Sequence, residues 1–241
     1  MLVSCCLILN KKHEKTMDDV TPNLKSILAN TSLFQMLDES QLDEIVAKTS
    51  PLRLAQNICV VNQGDAAEGT FWVVYGQVQI GLYSKQGGEK TLEILGQGKC
   101  FGLGEMLLEQ PHLAFVKTTI DSMLLHTERA AILQIAQENF SFAHSLMTCV
   151  GRQLYGLVRD IGSYAQTARQ RLAGYLLQQR RRESSDDIEL VANKTLIASR
   201  LSLTPETLSR LFHDFSAEGL IKVSGRHITL LDCEKLSALI S

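Results

Sequence analysis

The sequence predicts an α+β fold with an N-terminal jelly roll (double-stranded β-helix), a long helix and a C-terminal winged helix-turn-helix. Three observations carry this prediction. Short β runs broken by glycine fill the region from Leu52 to about Thr127, a helical period follows Glu128, and a helix, tight turn, helix and hairpin follow Asn193. The predicted boundaries are an N-terminal extension over 1–21, the jelly roll over 22–138, the long helix over 139–165 and the winged helix-turn-helix over 166–241.

The composition is that of an ordinary globular protein. Its 241 residues are 45% hydrophobic and 21% charged, which excludes a mostly disordered chain. No apolar run approaches the roughly 20 residues that cross a bilayer, and no basic segment precedes the short apolar start, so we expect a cytoplasmic protein without membrane contact. The six cysteines include no C-x-x-C pair, so a disulfide framework is not expected.

The net charge of −2 conceals an asymmetry along the chain. From Ala165 onward there are 11 Lys and Arg against 9 Asp and Glu, so this part is basic while the rest is acidic. A basic C-terminal third is compatible with a surface that faces nucleic acid.

Two short helices are predicted before the strands. Leu24, Ile27 and Leu28 share one helical face, and Asp38-Glu39-Ser40-Gln41 is a capping sequence for a second helix. The clearest strand is Phe71-Trp72-Val73-Val74-Tyr75, after which Gly76 leads into an alternating run. Further strands are predicted at Thr91 to Leu95, Ala114 to Ile120 and Met123 to His126.

An apolar heptad seam follows the strands. Its steps of three and four residues predict a helix that packs against a second copy of itself, with polar residues on the other faces. The alternative is that the stripe packs on its own domain. A hinge is predicted over Ser163 to Thr167, before a second amphipathic helix. The seam residues are Met147, Val150, Leu154, Leu157, Ile161, Tyr164 and Ala168.

The helix that begins after Thr204 has the features of a DNA-recognition helix. Thr204 is its cap and Pro205 its first residue, and its apolar stripe predicts one buried face. The opposite face presents Glu206, Ser209 and Arg210, side chains that can read base edges in the major groove. The residues predicted to contact phosphates are Lys194, Arg200, Thr204, Thr207 and Arg226.

These residues lead to a family resemblance that extends from about Leu24 to the C-terminus. The chain resembles the Crp/Fnr transcription regulators, and its landmarks are Gln63-Gly64-Asp65, the segments 71–78 and 95–102, and the helix-turn-helix. Glu206, Ser209 and Arg210 match the E-x-x-S-R pattern of the Fnr and nitric-oxide-responsive Dnr branches. The resemblance implies a cyclic-nucleotide-binding-like sensor domain, a homodimer on a palindrome with TTGA-type half-sites, and RNA polymerase as a partner.

The family's two best-known signals do not fit this sequence. Its cyclic-nucleotide binders carry glutamate after Phe-Gly and an arginine farther on, but Leu103 follows Phe101-Gly102 and the stretch 110–114 has no arginine. Glu105 could substitute only through a register shift, so cyclic AMP is not expected. A [4Fe–4S] cluster is not expected either, because adjacent Cys5 and Cys6 lack the family's spacing and Leu125 stands at the fourth ligand position.

The effector therefore remains unknown from the sequence. Haem that reports nitric oxide is one hypothesis, with His112, His126 and His144 as candidate axial ligands. A redox thiol at Cys59 or Cys100 is a weaker one, because nothing nearby in sequence would lower its pKa. A competing hypothesis for the whole chain is a cyclic-nucleotide module that acts on a protein partner. No nucleophile and base pairing, metal spacing or phosphate loop indicates an enzyme.

Overall fold

The computed structural model describes residues 24–31, 33–84, 88–162, 166–190 and 192–240, without the side chains of 159–162. The chain divides into two compact units. The first comprises Met1–Val78 and Gln97–Val150, and the second comprises Gln79–Gly96 and Gly151–Ser241.

The elements up to the long helix alternate short helices with many short strands. In chain order they are α1 (Leu24–Ala29), α2 (Glu39–Ala47), β1 (Thr49–Leu54), β2 (Cys59–Val61), β3 (Gly69–Tyr75), β4 (Gln77–Tyr83), β5 (Glu89–Gly96), β6 (Cys100–Phe101), α3 (Leu103–Leu108), β7 (Phe115–Thr118), β8 (Ser122–Glu128), α4 (Arg129–Glu138) and α5 (Phe140–Gly162).

The strands form two four-stranded sheets, as predicted for a jelly roll. Their orders are β1-β8-β3-β6 and β2-β7-β4-β5. In the first sheet β3 and β8 are antiparallel, with Trp72 opposite Leu125. The turn after β3 requires glycine, because Gly76 has φ +88° and an added Cβ would lie 2.5 Å from the Cα of Ser122.

An aromatic cluster forms the core between this sheet and the helices around it. The Phe34 ring meets Trp72 edge-on at 5.1 Å between centroids and stacks on Phe142 at 5.9 Å. Offset and edge-to-face pairs of this kind add to the apolar burial. Both predicted N-terminal helices are present, and Asp38 caps the second through a reciprocal pair of hydrogen bonds with Gln41.

Two features of the strand region differ from a simple alternating pattern. A short helix, α3, interrupts the strands where Gly102 turns the backbone at φ +79°, and it buries Leu103 and Met106 three residues apart. In β4 the side chains of Gln77 and Gln79 are buried, and the amide of Gln79 donates to Thr91 Oγ1 at 2.9 Å. Burial of an amide costs the fold little stability when the amide is hydrogen-bonded, so polar side chains can occupy these positions.

The C-terminal part has the predicted winged helix-turn-helix order. Its elements are α6 (Ala168–Glu183), β9 (Asp187–Glu189), α7 (Lys194–Arg200), α8 (Pro205–Ala217), β10 (Ile221–Ser224), β11 (His227–Leu230) and α9 (Cys233–Ala238). The three strands pair in the order β10-β11-β9, so the wing hairpin has a third strand that the sequence pattern did not indicate.

The predicted seam is corrected at its C-terminal end. Helix α5 ends at Gly162, and Ala168 is the first residue of α6, where it packs against the core of the second unit. The reason is a new N-cap: Thr167 accepts from the N–H of Gln170, whose side chain accepts from the N–H of Thr167. Tyr164, most of the predicted hinge and the side chain of Ile161 lie outside the described residues.

Candidate nucleic-acid interface

The turn between α7 and α8 is fixed by backbone hydrogen bonds. The N–H of Ser202 donates to the carbonyl of Ser199 at 3.1 Å, and that of Leu203 donates to Ala198 at 2.9 Å. Ser202, the second residue after α7, has φ +56°, and the chain reverses there. This tight connection sets the two helices of a helix-turn-helix.

Helix α8 begins as the sequence predicts. The hydroxyl of Thr204 accepts from the N–H of Thr207 at 3.2 Å, and Pro205 occupies the first turn, where no N–H is needed. The apolar stripe of this helix is buried, so the opposite face is turned to solvent. The buried residues are Leu208, Leu211, Phe212 and Phe215.

The three predicted base-reading residues are all exposed on α8. Glu206, Ser209 and Arg210 lie in the first half of the helix, within one turn of each other. Hydrogen bonds from its own backbone N–H and from the hydroxyl of Thr204 lower the pKa of Glu206, so this carboxylate is a charged acceptor. An ionised glutamate, a hydroxyl and a guanidinium provide acceptor and donor groups for base edges.

The predicted phosphate contacts divide into two groups. Lys194, Thr204 and Thr207 lie at the N-terminal ends of α7 and α8; Lys194 is exposed, with its ammonium 5.6 Å from the centroid of the Phe212 ring. Arg226 and Arg200 are instead engaged by protein carbonyls. Arg226 donates to the carbonyl of Leu190 at 3.0 Å, and Arg200 is half-buried.

Arg200 donates its hydrogen bond to the carbonyl of Leu92 in strand β5, which belongs to the same compact unit. Lys90 on this strand donates to the carbonyl of Ser199 and to Ser202 Oγ, and the N–H of Thr91 donates to Ser199 Oγ at 2.9 Å. Burial first, and then the positive charges of Arg171 and Arg200, lower the pKa of Lys90. Sequence reasoning did not find this contact, because more than a hundred residues separate the two segments.

Helix α5 carries an exposed apolar face over the predicted seam. Met147, Leu154 and Leu157 are 60%, 60% and 56% exposed, whereas Val150 packs partly on the core of the first unit. Tyr155 and Val158 are exposed beside them and extend the face beyond the predicted positions. Large apolar side chains grouped on one helix face are typical of an interface.

The histidines proposed as haem ligands have different surroundings. His112 is 4% exposed; its Cε1 would lie 3.1 Å from a Cβ added to Gly102. The His126 ring is tilted against the Phe71 ring at 4.6 Å between centroids, and its Nε2 would lie 2.5 Å from a Cβ on Gly69. His144 is exposed on α5.

None of these three histidines lines the cavity found in the first unit. A cavity of about 690 Å³ opens in the first unit, but none of the described residues that line it is a histidine or cysteine. His112 is packed against the backbone of Gly102, and His126 is packed against Gly69 and the Phe71 ring. We therefore assign no haem ligand.

The same cavity bears on cyclic-nucleotide binding. Its charged lining residues are Glu68, Glu109, Glu128 and Arg129, and the guanidinium of Arg129 is paired with Glu109. Leu103 is fully buried, so the position that follows Phe-Gly offers no polar group. Arg129 is a cation that sequence reasoning missed, because it begins α4, outside the stretch 110–114.

The cysteines do not provide a metal cluster in the described part of the chain. Cys5 and Cys6 lie outside it, and Leu125 is fully buried in β8. Among the described residues, no group of three or more His, Cys, Asp and Glu side chains is arranged to hold a metal ion. Every described helix is too short or too polar to traverse a lipid bilayer.

Comparison with known proteins gives two domain matches, one on each side of the long helix. Residues 51–139 match the cyclic nucleotide-binding domain, and residues 170–239 match the Crp-like helix-turn-helix domain. A CRP-like cAMP-activated global transcriptional regulator of Mycobacterium tuberculosis is 21% identical over 220 residues, which is 89% of this chain and 98% of that protein. The transcriptional regulatory protein btr of Bordetella pertussis is 27% identical over 83% of this chain and 84% of its own length.

Solved structures show the same two-part fold. A CooA mutant from Carboxydothermus hydrogenoformans superposes with a TM-score of 0.74 at 25% identity, covering 89% of this chain and 98% of its own. FixK2 from Bradyrhizobium japonicum has a TM-score of 0.73 at 22% identity, covering 80% and 98%. The domain pair, the relatives and the fold agree: this chain belongs to the Crp/Fnr family of transcription regulators.

Proposed function

We propose that this regulator binds DNA as a homodimer and reads an Fnr-like palindrome with TTGA-type half-sites through α8. The observation that carries the proposal is the exposure of Glu206, Ser209 and Arg210 on the free face of a helix whose other face is buried. Because one face of the helix is packed in the core, its backbone does not have to become ordered before these side chains contact bases.

The exposed apolar face of α5 supports the homodimer. Two copies of Leu154 and Leu157 facing each other would bury side chains that the single chain leaves in water. A dimer with two recognition helices reads two half-sites about 34 Å apart, one turn of B-DNA. With DNA as the proposed target, we expect the protein to act in the cytoplasm, where a bound regulator can contact RNA polymerase.

The experiment compares DNA duplexes by fluorescence anisotropy at fixed salt. One duplex carries two TTGA half-sites as a palindrome, one carries a single half-site, and one has the same composition in scrambled order. We expect the palindrome to bind at least about 10³-fold more tightly than the scrambled duplex. Equal affinity for the palindrome and the scrambled duplex would refute sequence-specific reading through α8.

We also propose that the effector binds in the 690 Å³ cavity of the first unit and is not a cyclic nucleotide. Three carboxylates surround a guanidinium that is already paired, so a cyclic phosphate would meet net negative charge. Calorimetric titration with cyclic AMP should give no saturable binding. Saturable binding that Arg129→Gln abolishes would overturn this part of the proposal.

A further inference from the structure

Two thiols from distant parts of the chain meet in the first unit. Cys100 on β6 and Cys149 on α5 place their sulfur atoms 3.6 Å apart, although 49 residues separate them. Cys100 is 8% exposed and Cys149 is half-buried, so a small reagent reaches Cys149 more readily.

The packing around the pair holds both sulfurs in place. Cys100 lies opposite Trp72 in the sheet, and the N–H groups of Val73 and Gly98 close the turn before it by donating to the carbonyls of Lys99 and Val73. Cys149 packs against the same core cluster that contains Cys100 and Trp72. The closeness of the thiols therefore follows from a sheet, a turn and a helix.

The separation is short enough for a covalent bond. A disulfide has an S–S length of about 2.05 Å, so the sulfurs must approach by about 1.5 Å. Rotation about the two Cα–Cβ bonds, with a small movement of α5 toward β6, can provide such a change. Because protein interiors are close-packed, a movement of this size in one element shifts the elements packed against it.

We propose that Cys100 and Cys149 form an intramolecular disulfide when the protein meets a hydroperoxide, and that this bond ties α5 to β6. The thiolate of Cys149 attacks one peroxide oxygen and breaks the O–O bond, giving a sulfenic acid and, from hydrogen peroxide, one water. The thiolate of Cys100 then attacks the Cys149 sulfur and displaces hydroxide, which takes the remaining proton as a second water. Two thiols are oxidised and one peroxide is reduced.

Peptide mapping after brief treatment with hydrogen peroxide tests the chemistry. The alkylated full-length protein is cleaved with trypsin, without reduction, at Lys99, Lys117, Arg129 and Arg152. The expected product joins peptide 100–117 to peptide 130–152, and it disappears on reduction. A linked peptide that contains Cys59 or Cys233 in its place, or no linked peptide while Cys149 is oxidised, would overturn the proposal.

Variants check the order of the two steps. Cys100→Ala should leave the sulfenic acid on Cys149, where dimedone labels it, whereas Cys149→Ser should leave Cys100 unmodified by dimedone. The double variant Cys59→Ser with Cys233→Ser is the matched control, and it should form the 100–149 link at the wild-type rate. Circular dichroism before oxidation confirms that each variant is folded. Dimedone on Cys100 in the Cys149→Ser variant would contradict the assigned order.

The consequence for α5 is tested separately and rests on the proposed homodimer. Cys149 lies between Met147 and Leu154 of the exposed face, so the disulfide acts on the helix that carries this face. Sedimentation should show at least about a fivefold change in the dimer dissociation constant on oxidation, absent in Cys149→Ser. An unchanged constant with a complete disulfide would refute the coupling but not the chemistry, whereas a monomer in every state would refute the homodimer.

Discussion

The guanidinium of Arg200 donates a 2.8 Å hydrogen bond to the backbone carbonyl of Leu92. Residue 200 ends the first helix of the helix-turn-helix, and Leu92 lies in the middle of β5. Together with the two bonds from Lys90, this contact occupies the C-terminal end of α7. A residue that the sequence pattern assigns to DNA phosphates is thus held by protein.

The first prediction separates Arg200 from Lys194. Lys194→Ala should lower the slope of log K against log salt by about 0.9 for each phosphate that the protein no longer neutralises, because its exposed ammonium releases a counterion on binding. Arg200→Ala should leave the slope unchanged and lower the melting temperature, since it removes the bond to Leu92. Anisotropy titrations at several salt concentrations and a thermal melt measure both effects. The control is Lys99→Ala, an exposed charge in the first unit.

The second prediction concerns base reading by Arg210. Arg210→Ala should weaken binding to the palindrome by about 1–3 kcal/mol per half-site while binding to scrambled DNA persists. Lys222→Ala on the wing provides the comparison, because removal of an exposed cation should weaken both duplexes to a similar extent. If Arg210→Ala weakens both duplexes equally, Arg210 contacts phosphate.

The sequence predicted the elements whose signals are local. Thr204, Pro205 and the apolar stripe defined α8, and Asp38 with Gln41 defined the start of α2, because capping and periodicity act within a few residues. Ala168 was assigned to the wrong helix although the capping pair Thr167 and Gln170 stands in the sequence. The heptad spacing continues from α5 into α6, and spacing alone does not show that Thr167 begins a new helix.

The relationships that the sequence did not predict are contacts between distant segments. The hydrogen bond of Arg200 to Leu92 and the approach of Cys100 to Cys149 depend on how strands and helices stack, which no local pattern encodes. Short elements were missed for a related reason. Helix α3 has one turn of apolar spacing, and β9 is three residues long, so neither contains a full period.

The third prediction tests the seam on α5. Leu154→Asp should raise the dimer dissociation constant at least about 100-fold, since burying each leucine contributes about 1.5–3 kcal/mol and a dimer contains two copies. Sedimentation velocity measures the association, and circular dichroism checks that the helix remains. The matched control is Leu108→Asp on α3, which is 72% exposed and lies outside the seam. A Leu154→Asp protein that stays dimeric would assign the apolar face another role.

The fourth prediction is a loss of stability on mild acidification. Burial lowers the pKa of His112, opposed by Glu105 and Asp65, and burial lowers the pKa of His126, opposed by Glu68 and Glu128 and reinforced by His112. The unfolded chain takes up these protons near pH 6.5, above the pKa values of the folded protein. The unfolded state therefore binds more protons as the pH falls through this range, and the free energy of unfolding decreases.

Thermal melts between pH 7.5 and 5.5 measure this effect. The contribution of the two imidazoles to the free energy of unfolding is complete at pH 7.5 and decreases toward pH 5.5. The pKa values of carboxylates such as Glu218 and Asp232 are lowered, so their contribution to stability is lost only at more acid pH. They therefore do not change the melting temperature between pH 7.5 and 5.5. His112→Gln and His126→Gln should each flatten the decline in melting temperature, whereas His144→Gln, on the exposed surface of α5, should keep the wild-type slope. Because buried substitutions also change the absolute melting temperature, the slope is the decisive quantity. Equal slopes in all four proteins would mean that the buried imidazoles do not control the acid response.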